Sequence, residues 1–169
     1  MPLSRRVAAC LVLTALALLP MLASGHEYTA GALKIGHPWS RATPPAAQVA
    51  VGFLTIANTG NTEDRLLRLD SPAAERVEVH QMKMDAGVMR MRRIDDGLAL
   101  AAGKTVTLAP GGYHLMFIRP TRPFVAGERI KATLVFRDAG NVDVEFAVGD
   151  AGATMPAMSP GKTDPHAGH

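Results

Sequence analysis

The sequence has a single cysteine, and that residue, Cys10, lies within the amino-terminal apolar stretch. An exported chain that loses this stretch has no thiol. Disulfide stapling, cysteine nucleophiles, thiolate zinc sites and blue-copper centres, which need a Cys ligand, are therefore excluded. Aromatic residues make up only 5% of the chain, so the basic patch interleaved with aromatics that marks a nucleic-acid binder is missing. An excess of one charge is missing too. Without Arg5 and Arg6 the 18 basic residues fall to 16 against 15 acidic ones, a formal balance of +1. No apolar run reaches the ~20 residues that span a bilayer, and no helix-period stretch of useful length follows residue 25.

The opening stretch has the order of an export signal. Arg5 and Arg6 precede an apolar block over 7–19, followed by Pro20 and the small residues Ala23, Ser24 and Gly25. Cleavage after Ala23 or Gly25 leaves about 144 of the 169 residues, enough for one well-buried core. A lipoprotein cysteine would follow the apolar block, whereas Cys10 sits ahead of most of it. The expectation is an exported chain, its signal (1–25) removed, with no membrane anchor left.

From residue 26 to 148 short β-rich runs alternate with turn clusters. The runs are 33–39, 49–57, 65–70, 75–84, 88–94, 105–108, 113–118, 129–137 and 142–148, and hairpins are expected at Asp85-Ala-Gly87 and Asp138-Ala-Gly-Asn141. This predicts an all-β Greek-key sandwich or barrel of eight or so strands. From Gly149 onward, Gly, Ala, Pro, Met and His replace the β-branched residues, which predicts a disordered tail over 149–169.

What is present in unusual measure is His and Met. All six His and seven of nine Met fall after the signal, and without cysteine they are the only soft or borderline metal ligands. Residues two apart on a strand share a face, so Tyr113, Leu115 and Phe117 point one way and His114 and Met116 the other. On the preceding hairpin Val77 and Val79 oppose His80, Met82 and Met84. The hairpin register is open in the sequence. A four-residue loop (84–87) sets His80 opposite Met91 and Met82 opposite Met89. The two-residue turn Ala86-Gly87 sets Met82 opposite Met91, with His80 the diagonal neighbour of Met91, ~7–8 Å away. A three-residue loop pairs His80 with Arg92 and puts His80 and Met91 on opposite faces. With His114 and Met116 added, two of these three registers complete a His2Met2 set. Two neutral imidazoles and two thioethers favour a monovalent soft ion over zinc, and hold it at mildly acid pH until the imidazoles protonate.

The run from His80 to Met91, followed by Ala102 through His114-Leu-Met116, resembles the PCu(A)C-type periplasmic copper chaperones. Their signature is a His, ten residues, a Met, about twenty-one residues, then His-x-Met. Here ten residues separate His80 from Met91 and 22 separate Met91 from His114, the extra one assigned to the Asp95-Asp96-Gly97 loop. His37-Pro-Trp-Ser-Arg-Ala-Thr-Pro-Pro and Gly52-Phe-Leu-Thr-Ile-Ala-Asn are also similar to the family, and the resemblance covers residues 26–148. It implies a cupredoxin-like domain that binds one Cu(I) at His80, Met91, His114 and Met116 and delivers it for assembly of the cytochrome c oxidase copper centre. The implied partners are the copper-bearing oxidase subunit and a Sco-type protein. Met82, Met84 and Met89 are not carried over as ligands, and His37 is assigned to structure.

The termini add candidate ligands. Met155, Met158, His166 and His169 lie in the tail, where a second copper, as Cu(II), is an option, and His26 becomes an amino-terminal chelate if cleavage follows Gly25. No residue is needed as acid, base or nucleophile, so the expectation is a non-enzyme. The rivals are a periplasmic copper sink with the same ligands and a copper-dependent oxidative enzyme built on His26.

Overall fold

The computed structural model describes residues 27–154 and carries them as eleven strands: β1 (Glu27–Ala30), β2 (Leu33–Arg41), β3 (Val49–Asn58), β4 (Asp64–Asp70), β5 (Ala74–Asp85), β6 (Val88–Arg93), β7 (Leu98–Leu100), β8 (Thr105–Leu108), β9 (Tyr113–Pro120), β10 (Arg129–Phe136) and β11 (Asn141–Gly149). No helix occurs among the described residues. Pairing runs β5–β9–β3–β2–β11–β10–β4 and returns to β5 through Leu69 opposite Val77, with β8 between β9 and β3. These eight strands close a barrel, while β1, β6 and β7 extend it beside β2, β5 and β4. The expected all-β barrel is thus the fold. It differs from an all-antiparallel one in two parallel joints, β11 with β2 and β8 with β9, which periodicity alone cannot distinguish because both pairings alternate identically.

The strand count exceeds the sequence expectation at two places. β1 has four residues and β7 only three, too short for a period to declare itself. The ordered chain also runs past the boundary placed at residue 148. Gly149 completes β11 opposite Arg41, and the Arg41 guanidinium donates from Nε to the carbonyl of Ala153 at 2.8 Å. Residues 149–154 are held by this cation and by the Ala42 amide on the Gly149 carbonyl at 2.8 Å, so the tail composition does not mark the end of order.

The barrel interior is filled by the inward-facing set of each strand, among them Leu33, Ile35, Leu54, Ile56, Leu115, Phe117, Leu134, Val144 and Phe146, all buried. Phe117 meets Phe124 and Phe146 edge-on at 5.4 and 5.6 Å, the favoured aromatic geometry. Gly52 makes room for this, since a Cβ there would stand 2.8 Å from the Phe117 ring.

β2 breaks its own alternation. A bulge between Gly36 and Trp39, with His37 at φ 50°, shifts the register against β3, and an added residue turns every later side chain to the other face. Trp39 therefore pairs with Phe53 outside the main core, ring centroids 4.5 Å apart, beneath the Arg41 guanidinium. His37 is exposed at the bulge itself.

Asp64 fastens β4 to the β10–β11 hairpin. It is buried and accepts the amides of Arg65, Asp138 and Ala139 at 2.6, 3.0 and 3.0 Å. Burial pushes its carboxyl up, but the three amides and the nearby Arg137 outweigh this and hold it below its ordinary value of 3.8. A depressed carboxylate stabilises the fold above its unfolded value and loses that contribution as pH falls toward the folded one. Asp64→Asn is expected to cost about 1–3 kcal/mol at pH 7, and the gap from wild type should close below pH 3.8 in denaturant unfolding. The β5–β6 turn gives a second prediction. Ala86 and Gly87 have φ of 48° and 82°, a type I′ turn in which Asn-Gly is favoured and Ala is strained. Ala86→Asn should raise stability by up to about 1 kcal/mol, read as a higher melting temperature.

Candidate metal centre

Two strands of the barrel wall build the centre. On β5, Val77 and Val79 are buried in the core, so Glu78, His80, Met82 and Met84 take the outer face. On β9, Leu115 and Phe117 are buried and His114 and Met116 take that same outer face. The β5–β9 register sets His80 directly opposite His114 and Glu78 opposite Met116. The two imidazoles stand 5.9 Å apart, centroid to centroid, tilted by 34°. Although they face outward, His114 is only 8% exposed and the His80 side chain 12%.

The hairpin uses the two-residue turn, with Asp85 opposite Val88. Met82 then faces Met91, Met84 faces Met89, and His80 faces Arg93. The four-residue and three-residue alternatives, with His80 opposite Met91 or Arg92, do not occur. Met91 is therefore the diagonal neighbour of His80, and Met116 is its diagonal neighbour on the opposite side, at the ~7–8 Å separation long side chains can bridge. The four sequence-predicted residues share one face, with the imidazoles in the middle and a thioether at each end of the diagonal.

Each imidazole has one nitrogen committed. Glu78 contacts His80 Nε2 at 2.9 Å and is also held by Arg76 and Arg93, at 2.8 and 3.2 Å. The Arg76 hydrogen bond foremost, then those from His80 and Arg93, hold the Glu78 carboxyl down to about 2. An ionised carboxylate only accepts, so Nε2 of His80 carries the proton and donates. Its Nδ1 is left as a lone pair, and this atom is buried without a hydrogen-bond partner. Nδ1 of His114 lies 3.1 Å from the Gly112 carbonyl, which also only accepts, so this nitrogen donates and Nε2 holds the lone pair.

A buried nitrogen without a partner costs free energy unless something binds it. The donor set suits a soft ion. Among the described residues no three His, Cys, Asp or Glu side chains are grouped to hold a metal, and the soft donors that share the face of the His pair are thioethers. Glu78 and Arg93 were missed by the sequence reading. The signal was available, since Glu78 lies two residues before His80 on a strand and must share its face. Met82 is half-buried, Met84 and Met89 are exposed, and His26, Met155, Met158, His166 and His169 lie outside the described residues.

The nitrogen assignment is directly observable. Near pH 8, long-range 1H–15N correlation is expected to find the proton of His114 on Nδ1 and that of His80 on Nε2. In Glu78→Ala, His80 should become a tautomer mixture while His114 is unchanged; a wild-type His80 protonated on Nδ1 would overturn the assignment.

The fold has counterparts among known proteins. The LpqE-like family model matches residues 33–148. Lxx21020 of Leifsonia xyli subsp. xyli, named as a lipoprotein, is 32% identical over 132 residues, 78% of each chain. Among solved structures, the copper-bound PCuAC domain of PmoF2 is 32% identical, with a TM-score of 0.65 over 74% of this chain and 98% of that domain. The apo form of the same domain gives 0.67 over 78% and 100%. On this footing the chain belongs to the LpqE-like family and carries a PCuAC-type domain.

Proposed function

We propose that the protein is an exported copper chaperone that binds one Cu(I) through His80, Met91, His114 and Met116. The observation that carries this is the pair of adjacent imidazoles, each with one nitrogen tied to an acceptor and the other left free. The thioethers of Met91 and Met116 flank that pair on the same face. The copper-bound state of the 32%-identical PCuAC domain of PmoF2 supports copper as the ion. A neutral set of nitrogen and thioether donors favours the monovalent state and can be outcompeted by a site with thiolates, as a delivery protein requires.

The recipient we propose is the copper-bearing subunit of cytochrome c oxidase, with a Sco-type protein as partner, in the periplasm. The tail residues Met155, Met158, His166 and His169, and His26 if it becomes the amino terminus, would take a second copper as Cu(II).

Anaerobic Cu(I) titration against a chromophoric chelator tests the site. His114→Ala with Met116→Ala should weaken binding by at least about hundredfold, given that outer-shell partners alone are worth 10–100-fold, whereas a chain ending at Thr154 should keep the tight site. Unchanged affinity in the double variant would remove the four-residue site. Loss of assembled oxidase on gene deletion tests the recipient, and copper sensitivity with intact oxidase would favour a sink.

A further inference from the structure

The β5–β6 hairpin carries more thioethers than the His pair can use. Met82 faces Met91 and Met84 faces Met89 across the two strands, so all four side chains stand on the face that holds His80. Met84, Met89 and Met91 are 58%, 47% and 51% exposed, and with Val88 they are four of the six exposed large hydrophobic residues among the described ones. Methionine ordinarily fills irregular gaps in cores, but β6 is exposed at every position and there is no core here to fill.

The face is also chemically selective. Lys83, Asp85, Arg90 and Arg92 alternate onto the opposite side of the hairpin, where Lys83 faces Arg90 and Arg90 pairs with Asp85 at 3.1 Å. No carboxylate stands among the four sulfurs by this alternation, so no hard ligand is offered there. Directly opposed residues have Cβ atoms about 4.5–5.5 Å apart, and a Met side chain extends two bonds from Cβ to its sulfur, so one ion can be shared across the ladder.

We propose that Met82, Met84 and Met89 form a second Cu(I) site on the outer half of the hairpin, a three-thioether site weaker than the His-containing one. Met82 lies opposite Met91, so an ion held by the three sulfurs stands one cross-strand step from a ligand of the inner site. The second site is independent of the His80–His114 assignment; the step between the two rests on it.

The test is titration of the full chain, labelled with 13C-methyl methionine and with all Met methyls assigned, using Ag(I) as a redox-inert stand-in and Cu(I) under anaerobic conditions as the check. The first equivalent should shift the methyls of Met91 and Met116, and the second those of Met82, Met84 and Met89. In Met82→Leu/Met84→Leu/Met89→Leu, which keeps side-chain volume, one equivalent should be lost while the first-equivalent shifts persist. Methyls of Met82, Met84 and Met89 that stay still to several equivalents, with Met155 and Met158 taking the added ion, would overturn the second site. A first equivalent that leaves Met116 unmoved would instead overturn the inner site. The wild-type titration decides between these outcomes even if the triple variant does not fold.

Discussion

Everything at the candidate centre depends on the register between β5 and β9. That single ladder sets His80 against His114 on the outside and, in the same stroke, Val77 against Phe117 and Val79 against Leu115 on the inside. A slip of either strand by one residue would turn its imidazole into the barrel and expose its row of core side chains. The apolar interior therefore guards the geometry of the site. The burial that stabilises the fold is also what fixes two imidazole rings 5.9 Å apart, centroid to centroid, on its outer face.

The polar side of the wall is arranged to leave donors unspent. Glu78, clamped by Arg76 and Arg93, takes the proton-bearing nitrogen of His80, and the Gly112 carbonyl takes that of His114. Held in this way, the rings need little reorganisation to receive an ion, which lowers the entropic cost of coordination. The unpartnered Nδ1 of His80 is the local instability that accompanies such preorganisation.

Much of this was legible in the residues. Strict alternation on the strand of Tyr113 to Ile118 and on that of Glu75 to Met84 separated core from site faces, and the spacing of His80, Met91, His114 and Met116 pointed to the four residues that share the outer face. The hairpin register was not legible, because Met84-Asp-Ala-Gly87 allows loops of different length and Ala86 does not advertise the left-handed conformation it adopts. Nor was the bulge at His37-Pro38 visible. The run Leu33 to Trp39 looks like an uninterrupted strand, and only the three-dimensional pairing reveals that Trp39 has changed sides. The two parallel joints and the three-residue β7 lie beyond the reach of periodicity for the reasons of symmetry and length already given.

The position of β6 at the rim has a kinetic consequence. β5 and β9 are hydrogen-bonded along both edges, whereas β6 leans on β5 alone and is exposed along its whole length. An ion bound at the proposed four residues would have three donors anchored in the wall and one, Met91, on the element that frays first. Dissociation would then begin at Met91, dropping the ion to three-coordination and opening one position toward solvent. A competing thiolate would find its landing place there, and exchange would then run by substitution of one ligand at a time, without setting the ion free in water.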